Sequence, residues 1–143
     1  MKMLAKMFAL VADKFQDKVD KGGMPYFLHC IYVMQHCGLD DETSLCIALG
    51  HDLIEDTDLT AEQISSMFND QIASGILALT KDKSISYEDY IKSITNNITV
   101  TKIKLADLGH NMNVSRLKRP LSAADFDRLE QYQRGMAYLK KTI

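Results

Sequence analysis

The stretch Gly50-His51-Asp52-Leu53-Ile54-Glu55-Asp56-Thr57 places a His-Asp pair one helical turn before a Glu-Asp pair. With about 3.6 residues per turn, an α-helix would set His51 above Glu55 and Asp52 above Asp56. The apolar residues around these pairs predict a buried helix. Three acids within five positions repel one another unless a cation or protons neutralise them. The stretch therefore predicts a divalent-metal site on a core helix.

Two residues elsewhere in the chain are further candidates for the same metal. His29 closes the run Pro25-Tyr26-Phe27-Leu28-His29, and Asp107 lies in an apolar segment where an unpaired carboxylate would be costly. Together with His51 and Asp52 they form a mixed nitrogen and oxygen ligand set. Such a set suits manganese, iron or zinc, whereas oxygen ligands alone would suit magnesium or calcium. The ligand types leave Mn²⁺, Fe²⁺ and Zn²⁺ open.

The amino-acid composition is typical of a globular protein. The 143 residues are 46% hydrophobic and 25% charged, which predicts a single globular domain over residues 1–143. The net charge of -2 provides no general attraction for a nucleic acid polymer or an anionic membrane. Any phosphate group must therefore be bound by a local basic cluster or by a metal.

The cysteines and the hydropathy pattern predict a cytoplasmic protein. Three cysteines without a CxxC pair argue against a disulfide framework and favour a reducing compartment. No apolar run approaches the roughly 20 residues that span a bilayer. The first residues continue into an amphipathic helix pattern and lack the features of a signal peptide.

The periodicity of apolar residues predicts an all-α chain. No stretch alternates strictly between apolar and polar residues, and glycines and two prolines mark the breaks. The first helix is predicted over residues 2–19, with Leu4, Met7, Phe8, Val11, Ala12 and Phe15 on its buried stripe. A second follows Pro25 and ends near Gly38. Further helices are predicted from Asp40 or Asp41 through both acidic pairs, from Thr60, from Asn69 or Asp70, and over 87–95, 98–114 and 122–140.

Four segments resemble the HD-domain hydrolases of the RelA/SpoT group. They occur in the family's order, and the resemblance covers about residues 5–117. The segments are Lys-Gly-Gly-Met-Pro-Tyr-Phe-Leu-His (21–29), His-Asp-Leu-Ile-Glu-Asp-Thr (51–57), Leu-Thr-Lys (79–81) and Ile-Lys-Leu-Ala-Asp-Leu-Gly-His-Asn-Met (103–112). The resemblance implies a compact all-α bundle with a central metal site, closed by the helix at about 122–140.

The same resemblance implies roles for individual residues. A metal, usually Mn²⁺, would be held by residues matching His29, His51, Asp52 and Asp107. Residues matching Glu55 and Asp56 would activate or position the attacking water. Lys21 and Asn111 match residues that bind the nucleotide substrate, and Lys104 and Arg116 are further candidates for substrate binding. The implied reaction removes the 3′-pyrophosphate of guanosine tetra- or pentaphosphate (ppGpp or pppGpp), leaving GDP or GTP.

The residue types suit this hydrolysis. A divalent metal lowers the pKa of a bound water and polarises a phosphoryl oxygen. Glu55 can accept the water proton and deliver it to the leaving ribose oxygen, and Asp56 can orient the water. Lys21 and Lys104 can neutralise phosphate charge.

Several positions depart from the family pattern where it contacts the base and ribose. Asp20 stands where long members carry an arginine that packs on guanine, and Leu108 replaces another arginine. Val114 stands at the place of a threonine, and Phe15 at that of a histidine. Hydrolase chemistry is therefore the firmer expectation, and guanine specificity the weaker one.

Two alternatives to alarmone hydrolysis stay open from the sequence. One is hydrolysis of another phosphorylated nucleotide, such as a nucleoside monophosphate or the 2′-phosphate of NADPH. The other is a metal-stabilised module that binds nucleotides without hydrolysing them. Retention of Glu55 and Asp56 argues against pure binding, which needs no water activator.

Overall fold

A computed structural model describes residues 1–143, and its regular structure is helical, as the sequence predicts. The helices are α1 (Lys2–Lys14), α2 (Tyr26–His36), α3 (Glu42–Leu49), α4 (Leu53–Asp56), α5 (Ala61–Met67), α6 (Asp70–Ala78), α7 (Tyr87–Ile94), α8 (Ile98–Asn111) and α9 (Ala123–Lys140), with a 3₁₀ turn at Val114–Arg116. The one extended pairing is an isolated bridge between Val19 and Pro25. No helix combines the length and apolarity needed to cross a bilayer.

Polar side chains define where most of the helices begin. The predicted capping box of Thr60 with Gln63 is present at α5, and Asn69 caps α6. Asp41, not Asp40, caps α3 by accepting from the Ser44 amide. Each cap satisfies a backbone N–H that the first turn of a helix leaves unpaired. These local signals are why the predicted starts agree with the structure.

The helices enclose one cluster of 25 buried apolar residues. Helix α3 lies near its centre and packs against α1, α2 and α6, while α8 packs between α2 and α9. Because α2 packs against both α3 and α8, and His51 in the turn after α3 reaches Asp107 of α8, side chains from three distant segments converge at one end of the core. That end carries the polar residues discussed below.

The prediction of one continuous helix through both acidic pairs is wrong. Helix α3 ends at Leu49 with Gly50 as its cap, and α4 starts only at Leu53. His51 and Asp52 therefore lie in a turn between two helices. A Cβ on residue 50 would lie 2.9 Å from both Ile76 Cδ1 and Met7 Sδ, so close packing favours glycine at this break.

The first and eighth helices are shorter than predicted. Helix α1 ends at Lys14 because the chain then folds into a turn and the Val19–Pro25 bridge, which requires extended backbone. Phe8, expected on the buried stripe, is 44% exposed. Helix α8 ends at Asn111, where the chain tightens into the 3₁₀ turn.

The loop after α1 packs tightly against this 3₁₀ turn at Gly22. A Cβ at residue 22 would lie 2.3 Å from the Arg116 carbonyl oxygen, which is backbone and cannot swing away. We expect Gly22→Ala to lower the free energy of unfolding by about 1–3 kcal/mol, the range of an overpacked site. Urea unfolding followed by circular dichroism measures it.

Gly109→Ala is the matched control for that substitution. Its Cβ would meet only Met136 Cε, at 3.8 Å, inside the regular helix α8. We expect about 0.5–1 kcal/mol of stabilisation, because alanine has the higher helix propensity. Equal effects of the two substitutions would contradict the tight contact at Gly22.

Candidate active site

A cavity of about 500 Å³ opens where α2, α4, α8 and α9 meet the loop after α1 and the 3₁₀ turn. Its floor is polar, and its walls carry several cationic and tyrosine side chains. Of the residues predicted for the site, all except the buried His51 line it; they are Lys21, His29, Asp52, Glu55, Asp56, Lys104, Asp107, Asn111 and Arg116. The fold thus brings together residues that are up to 95 positions apart in the sequence (21 to 116).

The four predicted metal ligands converge at the floor of this cavity. His29 from α2, His51 from the α3–α4 turn and Asp107 from α8 offer ligand atoms that all lie within 4.8 Å of one another. Asp107 Oδ1 is 3.0 Å from His29 Nε2 and 3.5 Å from His51 Nε2. Asp52 Oδ2 is 3.1 Å from His51 Nε2 and 3.9 Å from His29 Nε2. All four residues are buried.

The hydrogen bonds of His51 leave one nitrogen free for a cation. Its Nδ1 donates to the Ala48 carbonyl oxygen at 2.8 Å, so Nε2 is the nitrogen that can bind a cation. Burial lowers the pKa of His51, but Asp52 and Asp107 raise it well above its usual range, so a proton occupies Nε2 when no cation is bound. That Nε2 is buried and has no hydrogen-bond partner, although two carboxylates stand close to it. An unpartnered imidazole nitrogen beside two carboxylates fits a divalent cation.

His29 is oriented by a second histidine, His110. The two Nδ1 atoms are 2.7 Å apart, so one ring donates and the other accepts. The His110 ring stacks on Tyr32 and lies within 15° of the plane of the His29 ring. Burial, Arg116 and His29 lower the pKa of His110 to about 4, so it is neutral at neutral pH and retains a lone pair. If His29 Nε2 binds a metal, its Nδ1 carries the hydrogen and His110 accepts it.

The charge on Asp107 is compensated from several sides. Burial alone would raise its pKa, but the Lys104 ammonium and the hydrogen bond to His29 hold that pKa well below its ordinary value. Lys104 Nζ donates to Asp107 Oδ2 at 2.8 Å, and the Asn111 amide donates to Oδ1 at 3.1 Å. Lys104 and Asn111, both expected to bind substrate, therefore fix the Asp107 carboxylate.

Glu55 and Asp56 line the cavity from α4, immediately beyond Asp52. Glu55 Oε1 accepts from the Lys81 amide at 2.9 Å, which leaves Oε2 without a protein partner. Burial raises the pKa of Glu55 and the nearby Asp52 charge raises it further, against the lowering effect of the Lys81 hydrogen bond. Asp56 forms an ion pair with Lys18 at 3.2 Å. Glu55 is thus the carboxylate better suited to accept a proton.

Asp20 stands where the family pattern has an arginine, yet it holds a different cation, Arg116, at the cavity. Its Oδ1 accepts from the Gly22 and Met24 amides at 2.8 and 3.0 Å, which shapes the loop after α1. Its Oδ2 accepts from Arg116 at 2.6 Å, and Arg116 also donates to the His110 carbonyl oxygen at 3.0 Å. The Arg116 guanidinium is therefore held in the cavity wall by two acceptors.

The sequence reasoning missed other cavity residues. Tyr26 donates its hydroxyl hydrogen to Asp52 Oδ2, so it supports a predicted ligand directly. Lys18, Arg128 and Tyr132 also line the cavity. Tyr26 lies within the quoted motif of residues 21–29, so its position was a signal that could have found it. Arg128 and Tyr132 are four residues apart on α9, but only the packing of α9 on α8 shows that their helix face meets the cavity.

Comparisons with known proteins find relatives among the RelA/SpoT proteins. No protein-family model matches the chain. It is 31% identical over 133 residues to the GTP pyrophosphokinase rsh of Brucella melitensis, covering 82% of this chain and 17% of that protein. It is 29% identical over 133 residues to the bifunctional (p)ppGpp synthase/hydrolase SpoT of Escherichia coli, covering 83% and 19%. The chain thus spans less than a fifth of the length of these relatives.

A solved structure gives the fold. A metazoan orthologue of SpoT, described as hydrolysing ppGpp and acting in starvation responses, superposes with a TM-score of 0.82 at 23% identity, covering 95% of this chain and 84% of that one. The chain has the HD-domain fold of that structure, and its sequence is similar to the part of the RelA/SpoT proteins that it spans. The all-α prediction, made from the periodicity of apolar residues, is confirmed by the structure. The resemblance to the RelA/SpoT group is confirmed by these relatives.

The contact between His29 and His110 leads to a prediction about metal affinity. His110→Phe keeps a ring in the stack but removes the acceptor for His29 Nδ1. Loss of such a supporting partner typically weakens metal binding by about 10- to 100-fold. Titration calorimetry with Mn²⁺ measures the change.

His36→Phe is the control, because His36 also stacks on Tyr32 but bonds only to the Tyr32 carbonyl oxygen. Its manganese affinity should equal that of the unmodified protein. Unchanged affinity in His110→Phe would mean that His110 does not orient His29.

Proposed function

We propose that this RelA/SpoT homologue is a metal-dependent phosphohydrolase that removes the 3′-pyrophosphate of ppGpp or pppGpp. The observation that carries the proposal is the buried His51 Nε2, unpartnered between Asp52 and Asp107, with Glu55 on the adjoining wall of the same cavity. The relatives named above, one of them a (p)ppGpp synthase/hydrolase, support this substrate.

The ligands in this proposal are His29, His51, Asp52 and Asp107, and Mn²⁺ is the proposed ion. When bound, the ion supplies positive charge that lowers the pKa of a water molecule and polarises the phosphoryl oxygens. Tyr26 and Lys104 hold the two carboxylates in place, and His110 and the Ala48 carbonyl hold the two imidazoles. The ligand atoms are thus fixed before a substrate enters, which limits the reorganisation that binding requires.

Glu55 performs the proton transfers in the proposed reaction. Its free Oε2 accepts a proton as the water oxygen attacks the phosphorus attached to the ribose 3′-oxygen. The bond between that phosphorus and the 3′-oxygen breaks, and pyrophosphate leaves. Glu55 then gives its proton to the 3′-oxygen, which becomes the hydroxyl of GDP or GTP. Asp56, held by Lys18, orients the water.

The direct test is release of GDP and pyrophosphate from ppGpp by manganese-loaded protein. Asp52→Asn is the control, because it weakens the ligand set without changing the size of the side chain. Metal-dependent release that is lost in the control supports the proposal. Absence of release from folded, metal-bearing protein would overturn it, and a panel of nucleoside monophosphates and NADPH would then identify or exclude another phosphohydrolase activity.

Glu55→Gln separates proton transfer from metal binding. The amide keeps the hydrogen bond from the Lys81 amide but cannot accept a proton. We expect kcat to fall by about 10²- to 10⁴-fold, the usual contribution of a general base. Manganese content, measured by elemental analysis, should stay at the level of the unmodified protein. Retained turnover in this variant would assign the proton transfers to another group.

The raised pKa of Glu55 predicts the acid side of the pH–rate profile. The base must be deprotonated, so kcat increases as the pH rises through the pKa of Glu55 and falls as the pH drops below it. Because burial and Asp52 raise that pKa, we expect the acid limb above the range of an ordinary glutamate. A profile of kcat measured at saturating Mn²⁺ checks this, and loss of the limb in Glu55→Gln assigns it.

A further inference from the structure

The segment Leu79-Thr80-Lys81 is one of the four that carry the family resemblance, and the proposed reaction leaves it without a role. It lies where α6 ends and the loop of residues 80–86 begins. Two hydroxyl groups fix the start of this loop. The buried Tyr90 donates to the Leu79 carbonyl oxygen at 2.6 Å, and Thr80 Oγ1 donates to the Ile76 carbonyl oxygen at 2.9 Å. The start of the loop is therefore held to both α6 and α7.

The Lys81 side chain determines the shape of the rest of the loop. Residues 82–86 are exposed, so packing in the core does not hold them. The Lys81 ammonium does so instead, because Nζ donates to the Ile85 carbonyl oxygen at 2.7 Å and to the Asp82 carbonyl oxygen at 3.2 Å. Two of the three ammonium donors are thus used to fold the loop back on itself.

This fold of the loop places the Lys81 main chain against Glu55. The Lys81 amide donates to Glu55 Oε1 at 2.9 Å, and this is the one hydrogen bond that the Glu55 side chain forms with the protein. Burial raises the pKa of Glu55, and the Lys81 amide opposes that rise more strongly than the charge of Lys104 does. With Oε1 held, the carboxylate cannot rotate freely, and Oε2 remains the oxygen that can take a proton.

We propose that Lys81 is a positioning residue for the proposed reaction: its ammonium holds the loop of residues 80–86 in the shape that keeps its own amide on Glu55. The inference rests on the proposed function, because it takes Glu55 as the group that transfers the proton. Lys81 acts through its main chain, since its ammonium binds two loop carbonyls. Its removal therefore affects the chemical step and not the binding of substrate.

Lys81→Met tests this role, because it removes the ammonium and keeps both an unbranched side chain and the main-chain amide. For the manganese-loaded variant we expect kcat with ppGpp to fall about 10- to 100-fold, as for a misplaced catalytic group, and KM to stay within about twofold. The acid limb of the kcat profile should move to higher pH, because a hydrogen bond that favours the charged carboxylate is weakened. Unchanged kcat, with or without a rise in KM, would overturn the proposal.

Lys83→Met is the matched control for that substitution. Lys83 lies in the same loop and is exposed, but its side chain forms no hydrogen bond or ion pair. The control changes the net charge by the same amount as Lys81→Met, and thermal unfolding confirms that both variants are folded. Its kcat, KM and acid limb should equal those of the unmodified protein. Equal losses in the two variants would assign the effect to the charge of the loop and overturn the proposal.

Amide hydrogen exchange distinguishes failure of this inference from failure of the proposed function, because it needs no substrate. NMR follows exchange of the residue 81 amide, with diamagnetic Zn²⁺ in place of Mn²⁺. We expect protection in the unmodified protein and in Glu55→Gln, whose side-chain oxygen still accepts the bond. Exchange should be about 10-fold faster in Glu55→Ala and Lys81→Met, as for loss of one hydrogen bond.

The two assays have separate outcomes. Unchanged protection of the amide in Lys81→Met overturns the inference, whatever the hydrolysis assay shows. Protection that is lost in Lys81→Met and retained in Lys83→Met supports control of the Glu55 contact by the Lys81 ammonium, even if the unmodified protein does not hydrolyse ppGpp. In that case only the proposed function fails.

Discussion

The burial of the Asp107 carboxylate is the constraint on which the other features of this protein depend. An ion of this kind costs several kcal/mol to remove from water unless charges and hydrogen bonds replace its hydration. Here His29, Lys104 and Asn111 contact its two oxygens, and His51 stands 3.5 Å away. These partners come from α2, α8 and the turn between α3 and α4, so a single carboxylate sets how three parts of the core must meet. The convergence of helices at the cavity floor is the structural consequence.

The break at Gly50 allows the third of these parts to reach the site. A continuous helix would have placed His51 and Glu55 on one straight face, with Asp52 on the next position around the axis. The turn instead buries His51 with its Nδ1 bound to the Ala48 carbonyl, and restarts the helix at Leu53 so that Glu55 faces the cavity. The proposed metal ligand and the proposed proton acceptor thereby lie in different short elements. The side chains of Met7 and Ile76 leave no space for a larger residue at the break, so the core packing maintains the turn.

The sequence was sufficient where a signal is local, and insufficient where it depends on packing between distant segments. The capping residues Thr60 and Asn69 identified their helices, and the motif around Asp107 identified the cluster, because each feature lies within a few residues. The break at Gly50 was missed because the close contacts that favour glycine there come from Met7 of α1 and Ile76 of α6, which are distant in sequence. The partner of Asn111 was also missed: its spacing from Asp107 fits one helix face, but nothing in the sequence shows that it points inward to the carboxylate.

Carboxylates also determine which cations of the cavity stay available. Lys104 forms an ion pair with Asp107, Lys18 with Asp56 and Arg116 with Asp20, so a neighbouring carboxylate neutralises each of these positive charges. Arg128 shares Asp125 with Arg119, and Lys21 has no acidic partner at all. The number of basic residues along the cavity therefore overstates how strongly the cavity attracts phosphate. It also gives the wrong position for the unpaired positive charge. The cavity cations without a carboxylate partner are therefore Lys21, on the loop after α1, and Lys81, whose ammonium donates to the Asp82 and Ile85 carbonyl oxygens.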